Sequence, residues 1–372
     1  MTKSQRTYSS LAEFAPDWIL TPGDSILDAL EERGWSQADF AQRMDYSRKH
    51  INLLLKAKVS ITDETAIKLS SVLGSSPRFW LNLEAQYREH LAQREAEKKL
   101  NPHVPWLKKL PIKEMVKFGW VQQAHNKPQQ VAECLRFYGV ASVDAWQNLY
   151  EKPVAAYRAN STHPRDSASV SAWLRQGERT AEAMRLGVYS PKAFEAALQQ
   201  IRVLTCEKDP NVSIPKAQTL CAAAGVAVVL EPAPKGCPVS GAAKWLGPGR
   251  GLIMLSLRGK SDDHLWFSFF HEAGHLIKHG KKLTFLDLLG ADGLDEIEEA
   301  QANAFARDHL IQPADYKKLL ALKPWSVPVI KEFAKSIQVS PGIVLGRLQF
   351  DRHLPWGRFD TLKVRYRWPH EA

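Results

Sequence analysis

Cysteine is scarce in this chain. Cys134, Cys206, Cys221 and Cys237 are its four cysteines, and none forms a C-x-x-C pair with another. This argues against a disulfide framework and fits a reducing cytosol. Long apolar runs are missing as well: no stretch approaches the ~18 residues of a membrane span. Met1 to Gly23 carries charges, Pro and Ser but no apolar core of signal-peptide length, so a soluble, unexported, cytoplasmic protein with no membrane partner is expected. Acidic residues are in deficit, with 40 Asp and Glu against 50 Lys and Arg. The resulting +10 charge and pI near 9.3 favour an acidic partner such as DNA, although they also fit a merely soluble protein. With 372 residues, 44% of them hydrophobic, the chain can bury a substantial core and suggests two or three domains.

What the chain does have is His271-Glu272-Ala273-Gly274-His275. On a helix, residues four apart are neighbours on one face, so both imidazoles can reach one ion at roughly 2.1 Å. Glu272 then lies beside the metal rather than on it, where it can take a proton from water. The context is orderly: Gly251 to Leu257 reads as a short buried strand, and Asp262-Asp263 offers N-cap chemistry for the apolar helix running into the motif. Gly274 inside that helix costs about 1 kcal/mol relative to Ala, which implies a close neighbour there.

A third ligand is needed. His279 lies a turn beyond His275 and roughly 12 Å from His271 along a helix, too far to share one ion. The Ala-rich segment Glu298 to Ala306 is the better source. Small residues at 300, 302, 304 and 306 let it approach the first helix closely. Glu299 and Asn303 share a face, so Glu299 can bind zinc while Asn303 hydrogen-bonds a ligand histidine. A solvated acidic first turn, favoured by the helix dipole, explains Glu298 and Glu299 equally well.

These residues resemble a family. HEAGHLIKHG, E-x-x-A-N-x-F-A at 299 to 306 and Leu310-Ile311-Gln312-Pro313 look like the ImmA/IrrE metallopeptidase domain, a gluzincin-like fold. The resemblance extends upstream through Val239 to Trp245. It implies Zn2+ as cofactor, Glu299 as third ligand and Glu272 as general base. Gln301 stands where the family often has Glu, away from the presumed ligands.

The other end carries a second signature. Ser36 caps an amphipathic helix through Met44, Asp45-Tyr46 makes a short turn, and Ser47 opens a second helix through Leu55. This is helix-turn-helix arithmetic. Phe40, Ala41, Met44, Ile51, Leu54 and Leu55 can pack between the helices, leaving Arg48, Lys49, Asn52 and Lys56 outward. Arg and Lys pair with guanine edges or phosphates and Asn with adenine, while Gln37 at the first helix's N-terminus suits phosphate and Ser47, opening the second, joins the DNA-binding set. Exposed Arg and Lys are also common on any soluble helix. Thr21-Pro22-Gly23, Leu30 to Ala38, Ile61 to Ala66 and Pro77 to Leu83 resemble the HigA-type antitoxin branch of Cro/CI repressor-like domains. Asp45 replaces the family's usual turn Gly, and Asp tolerates a left-handed conformation better than most residues.

Between the signatures, Asn101 to Pro105 breaks a charged helix. Beyond it helical spacing recurs at 112–118, 128–137, 142–149, 167–184 and 190–203, with no repeat or low-complexity tract; Trp146 and Trp173 read as core. A helix opens at Ser213 and Pro215 and ends at Gly225. Strands follow at 226–230, 242–246 and 252–257, then helices at 327–337 and 341–350, and the basic tail at 358–368 suits a strand. Cys237 lies in a loop between strands, where a thiolate can cap zinc as a redox switch or, like most lone cysteines, simply be buried. Tyr316, His353 and Tyr366 are alternatives for a transition-state donor.

The expected organisation is multidomain: a tail at 1–19, a helix-turn-helix domain at 20–92, a helical connecting domain at 93–210 and a C-terminal α+β gluzincin-like zinc peptidase domain at 211–372. The resemblances imply a DNA-binding transcriptional regulator or antitoxin of a toxin-antitoxin system. They further imply a homodimer on double-stranded operator DNA, and a cognate toxin or regulator protein as partner or substrate. The alternative is a non-catalytic repressor whose peptidase-like domain only senses a signal or binds a partner.

Overall fold

The structure is a computed structural model describing residues 20–152, 167–278 and 296–368; the tail at 1–19 and His279 lie outside the described residues. The chain divides into two compact units, Met1–Pro102 and His103–Ala372.

In the first unit the described residues form α1 (Pro22–Arg33), α2 (Gln37–Met44), α3 (Arg48–Leu55), α4 (Asp63–Leu73) and α5 (Pro77–Leu100). Each starts on a hydroxyl cap: Thr21, Ser36, Ser47, Thr62 and Ser76 accept backbone N–H groups that the first turn leaves unpaired. Asp45 ends α2 in the left-handed region, φ 53°, as its short polar side chain permits. All six apolar residues expected between α2 and α3 are buried, joined by Ile26, Leu30 and Leu69 from α1 and α4. Burying Phe40 alone contributes roughly 1.5–3 kcal/mol. Gly23 is obligatory for this packing, because a Cβ there would fall 1.9 Å from the Leu55 carbonyl oxygen.

The second unit opens with helices. The α-helix α5 ends at Leu100, where the break was expected, and the residues Asn101–Lys108 around the division between the units form a 3-10 helix. It is followed by α6 (Ile112–Lys117), α7 (Lys127–Tyr138) and α8 (Val143–Trp146), then α9 (Ser167–Glu182), α10 (Pro191–Leu204) and α11 (Pro210–Ala223). The last begins earlier than its Ser213-Pro215 signal, because Asp209 caps it and Pro210 fills the first helical position. Trp106, Tyr138 and Trp146 form an aromatic cluster, with Trp146 5.3 Å and 5.8 Å from the other two rings.

Among the described residues three strands make one sheet in the order β1 (Val226–Leu230), β3 (Arg250–Leu255), β2 (Gly241–Gly247), with β1 parallel and β2 antiparallel to β3. Residues 251–255 of β3 are buried throughout, as expected of a central strand covered on both faces. One cover is α9, from the segment expected to form a separate connecting domain. Its Trp173 indole donates to the Glu231 carbonyl, its Glu178 pairs with Lys244 of β2, and Gly177 admits the Met254 side chain. The expected break near 210 therefore does not separate compact units.

The other cover is α12 (Asp262–Lys278), followed by α13 (Glu296–Leu310), α14 (Pro313–Ala321), α15 (Val327–Ser336) and α16 (Pro341–Phe350). Asp262 and Asp263 do not cap α12; they are its first two residues, and their buried carboxylates tie it to later chain. Asp262 accepts from the Ser340 hydroxyl and, at 3.0 Å, from the Val364 amide, while Asp263 pairs with Lys363 at 2.8 Å. The basic tail supplies no strand among the described residues, only a 3-10 turn at Asp360–Leu362 and an isolated bridge from Arg365 to Ser261. The fold is thus helical in its first half, with an α+β C-terminal part.

Candidate metal centre and nucleic-acid interface

Helices α12 and α13 run antiparallel in contact: His271 meets Asn303, while Phe270, one residue earlier, stacks on His309 further along α13. Two small faces set their separation. Ala302 and Ala306 are fully buried, whereas Ala300 is exposed and Ala304 half-buried, so two of the four expected small residues face inward. Gly274 is the matching element on α12: a Cβ there would lie 3.1 Å from the Phe305 ring and 3.3 Å from the Ala302 Cα. This is the close neighbour that a glycine inside a helix implies.

The approach brings His271, His275 and Glu299 together, with ligand atoms all within 4.8 Å of one another. The two Nε2 atoms are 3.1 Å apart, and the Glu299 oxygens lie 3.4 Å from His271 and 3.5 Å from His275. A tetrahedral ion bound at about 2.0–2.2 Å separates neighbouring ligand atoms by roughly 3.3–3.6 Å, so the two edges to Glu299 fit zinc coordination and the edge between the histidines is slightly short of it. Asn303 Oδ1 accepts from Nδ1 of His271 at 3.1 Å, which leaves the Nε2 lone pair of a neutral ring directed at the cluster.

The electrostatics agree with a site built for positive charge. Hydrogen bonds from the two histidines hold the Glu299 carboxyl far below the usual carboxylate range. Burial pulls the His271 pKa down, but the bond to Glu299 and the nearby Glu272 and Glu299 charges outweigh it and leave it raised. Burial raises the Glu272 pKa, the direction that strengthens a carboxylate as a base.

Gly241, at the start of β2, completes the setting of Glu272. A Cβ at 241 would sit 2.7 Å from Oε1 of Glu272, so only glycine leaves room for the carboxylate where it stands. Sequence reading did not single out this residue, since its contact with Glu272 joins elements far apart in the chain.

Other candidates lie elsewhere. Cys237 is buried in its loop, and the structure does not bring its sulfur into the histidine and glutamate cluster. The Tyr316 hydroxyl donates to Asp351, His353 packs on Trp325 with ring centroids 5.6 Å apart, and Tyr366 is buried in the core. None of these contacts reaches the cluster.

In the first unit, Gln37, Ser47, Arg48, Lys49, Asn52 and Lys56 are all exposed. Arg48, Asn52 and Lys56 succeed one another at four-residue spacing, with Lys49 beside them, giving α3 a polar stripe opposite its buried Ile51, Leu54 and Leu55. The Ser47 hydroxyl also accepts from the His50 amide, and His50 rests on Tyr46 with ring centroids 4.5 Å apart. Neither aromatic was singled out from the sequence as a contact; the pair links the turn to the first turn of α3.

Among the described residues no helix is long and apolar enough to cross a membrane. Residues 26–80 match the helix-turn-helix family, and residues 221–349 match the IrrE N-terminal-like domain, in agreement with the helix-turn-helix and the ImmA/IrrE resemblances. The chain is also similar to YddM of Escherichia coli (strain K12), an uncharacterized helix-turn-helix-type transcriptional regulator. The two are 46% identical over 63 residues, which cover 17% of this chain and 67% of YddM. The chain therefore belongs to the helix-turn-helix family through its N-terminal domain and carries an IrrE N-terminal-like domain behind it.

Proposed function

We propose that this protein is a DNA-binding transcriptional regulator whose C-terminal domain is a zinc-dependent peptidase. The observation that carries the reading is the three-edged cluster of His271, His275 and Glu299, with the buried carboxylate of Glu272 beside it. Those three residues would hold the ion, which when bound supplies a Lewis acid that acidifies water and polarises a peptide carbonyl. Asn303 fixes the ring of His271. Glu272 takes the proton of the attacking water and returns it to the departing amine, at the position Gly241 leaves open for it. Since β2 is an edge of the sheet and starts at Gly241, an extended substrate can pair along it and pass Glu272.

The polar stripe of α3 supports DNA recognition, with Arg48, Lys49 and Asn52 reading base edges and Gln37, Ser47 and Lys56 on phosphates. A homodimer would bind a two-fold operator with recognition helices about 34 Å apart. The substrate is a regulatory protein, such as a cognate toxin for which this chain is the antitoxin. The competing reading is a repressor without catalysis. The test is to incubate the zinc-loaded protein and its Glu272→Gln variant with operator DNA and with the product of the neighbouring gene. Cleavage lost in Glu272→Gln, with operator binding intact, supports the peptidase; operator binding with no cleavage by either protein supports the repressor.

A further inference from the structure

A cavity of about 130 Å³ opens between the two cluster-bearing helices and α16. Its walls include Phe267, Leu310 and Ile343, and at its rim stand Phe350 and Trp356, two large aromatic side chains left 64% and 63% exposed. Part of its lining lies one helical turn from residues of the metal centre, on the same two helices. Phe267 is one turn before His271 on α12, their rings 6.2 Å apart, and Arg307 is one turn beyond Asn303 on the antiparallel α13. At about 1.5 Å per residue, the α12 part of the lining is centred roughly 6–10 Å along that helix from His271. An extended peptide covers that distance in about two or three residues.

The lining states what it would bind. The cavity is close in size to the ~150 Å³ cavity that admits benzene, so a phenyl or branched aliphatic side chain fits. Arg307 adds a second requirement. Its Nε is buried and makes no hydrogen bond, whereas the other charged groups of the lining are in ion pairs, Asp263 with Lys363 and Arg347 with Asp351. No hydrogen bond or ion pair among the described residues holds the Arg307 side chain, and a carboxylate is the group that best satisfies a guanidinium at the cavity wall.

We infer that this cavity is a substrate subsite that takes a bulky apolar side chain of the peptide together with an adjacent carboxylate, the carboxylate being held by Arg307. The inference rests on the peptidase reading and gives it a substrate class: segments pairing a Phe- or Leu-like residue with an acidic one, two or three residues from the cleaved bond. The exposed rings of Phe350 and Trp356 extend the apolar surface over the entering side chain.

Calorimetric titration of the full chain with 3-phenylpropionate, and with 3-phenylpropionamide as its neutral match, tests this directly. The acid should bind at least about tenfold more tightly than the amide, in the zinc-loaded protein and after chelation alike. Arg307→Met should abolish that preference, Arg307→Lys should keep part of it, and Trp356→Ala, at an exposed position, should weaken both probes. A folded Arg307→Met that keeps the full preference overturns the inference. So does a preference that vanishes on chelation, because the carboxylate would then be on the metal. Should Arg307→Met not fold, an Arg307→Lys titration identical to wild type overturns it instead. If Arg307-dependent binding is found without any Glu272-dependent cleavage, the peptidase reading fails and the substrate role with it. Cleavage that persists while Arg307→Met binds the acid normally sinks the subsite alone.

Discussion

Gly241→Ala separates the position of the proposed base from the stability of the fold. The added methyl would lie 2.7 Å from Oε1, 2.8 Å from Cγ and 3.1 Å from Cδ of Glu272. All three atoms belong to the outer part of one side chain, so Glu272 rotates away while the backbone stays. Removing a glycine from a strand returns roughly 0.5–1 kcal/mol of backbone entropy, which offsets much of the lost packing. Unfolding midpoints should therefore change little, and zinc content should not change, since no ligand is touched. The rate should fall steeply: displacing a general base costs about 10²–10⁴-fold, or roughly 3–5 kcal/mol of barrier. The assay is kcat/KM on one cleavable peptide for wild type, Gly241→Ala, Glu272→Gln and the double variant. Because both changes act on one carboxylate, the double variant should be no slower than Glu272→Gln alone. A Gly241→Ala protein that cleaves at the wild-type rate refutes the assignment of Glu272, in its observed position, as the base.

Three further outcomes are expected. Asn303→Ala frees the ring of His271 and should lower zinc affinity by about 10–100-fold, measured by competition with a chromophoric chelator; unchanged affinity would mean that the Asn303 hydrogen bond does not orient a ligand. Arg48→Ala should weaken operator binding by about 1–3 kcal/mol if Arg48 reads a base, and equal affinity in a gel-shift titration removes it from the contact set. Asp45→Gly relieves a left-handed non-glycine residue at φ 53° and should raise the unfolding free energy of the N-terminal unit by at most about 1 kcal/mol; a clear loss of stability would show that the Asp45 side chain itself stabilises the turn.

The helical elements were legible where local chemistry determines them. Ser36 and Ser47 announce their helices because a hydroxyl cap is a property of a few consecutive residues, and the buried faces of α2 and α3 follow from spacing alone. The histidine pair was legible for the same reason, its members being one helical turn apart. Glu299 needed a resemblance, because an acidic first turn looks identical whether or not a second helix is beside it. What stayed hidden depends on distant chain. Asp262 and Asp263 read as caps, yet their carboxylates meet Ser340, Val364 and Lys363, 78 to 102 residues away for Asp262. The role of α9 as a cover of the sheet, and that of Gly241 in making room for Glu272, could not be read from spacing either, since both are contacts between elements far apart in the chain.

Zinc content of the purified full chain tests the centre most directly. Elemental analysis should give one zinc per wild-type chain, and Glu299→Gln, which keeps the size of the side chain but removes its charge, should bind zinc far more weakly while folding normally. A wild-type chain that takes up no zinc, or a Glu299→Gln chain that holds it equally well, contradicts the account.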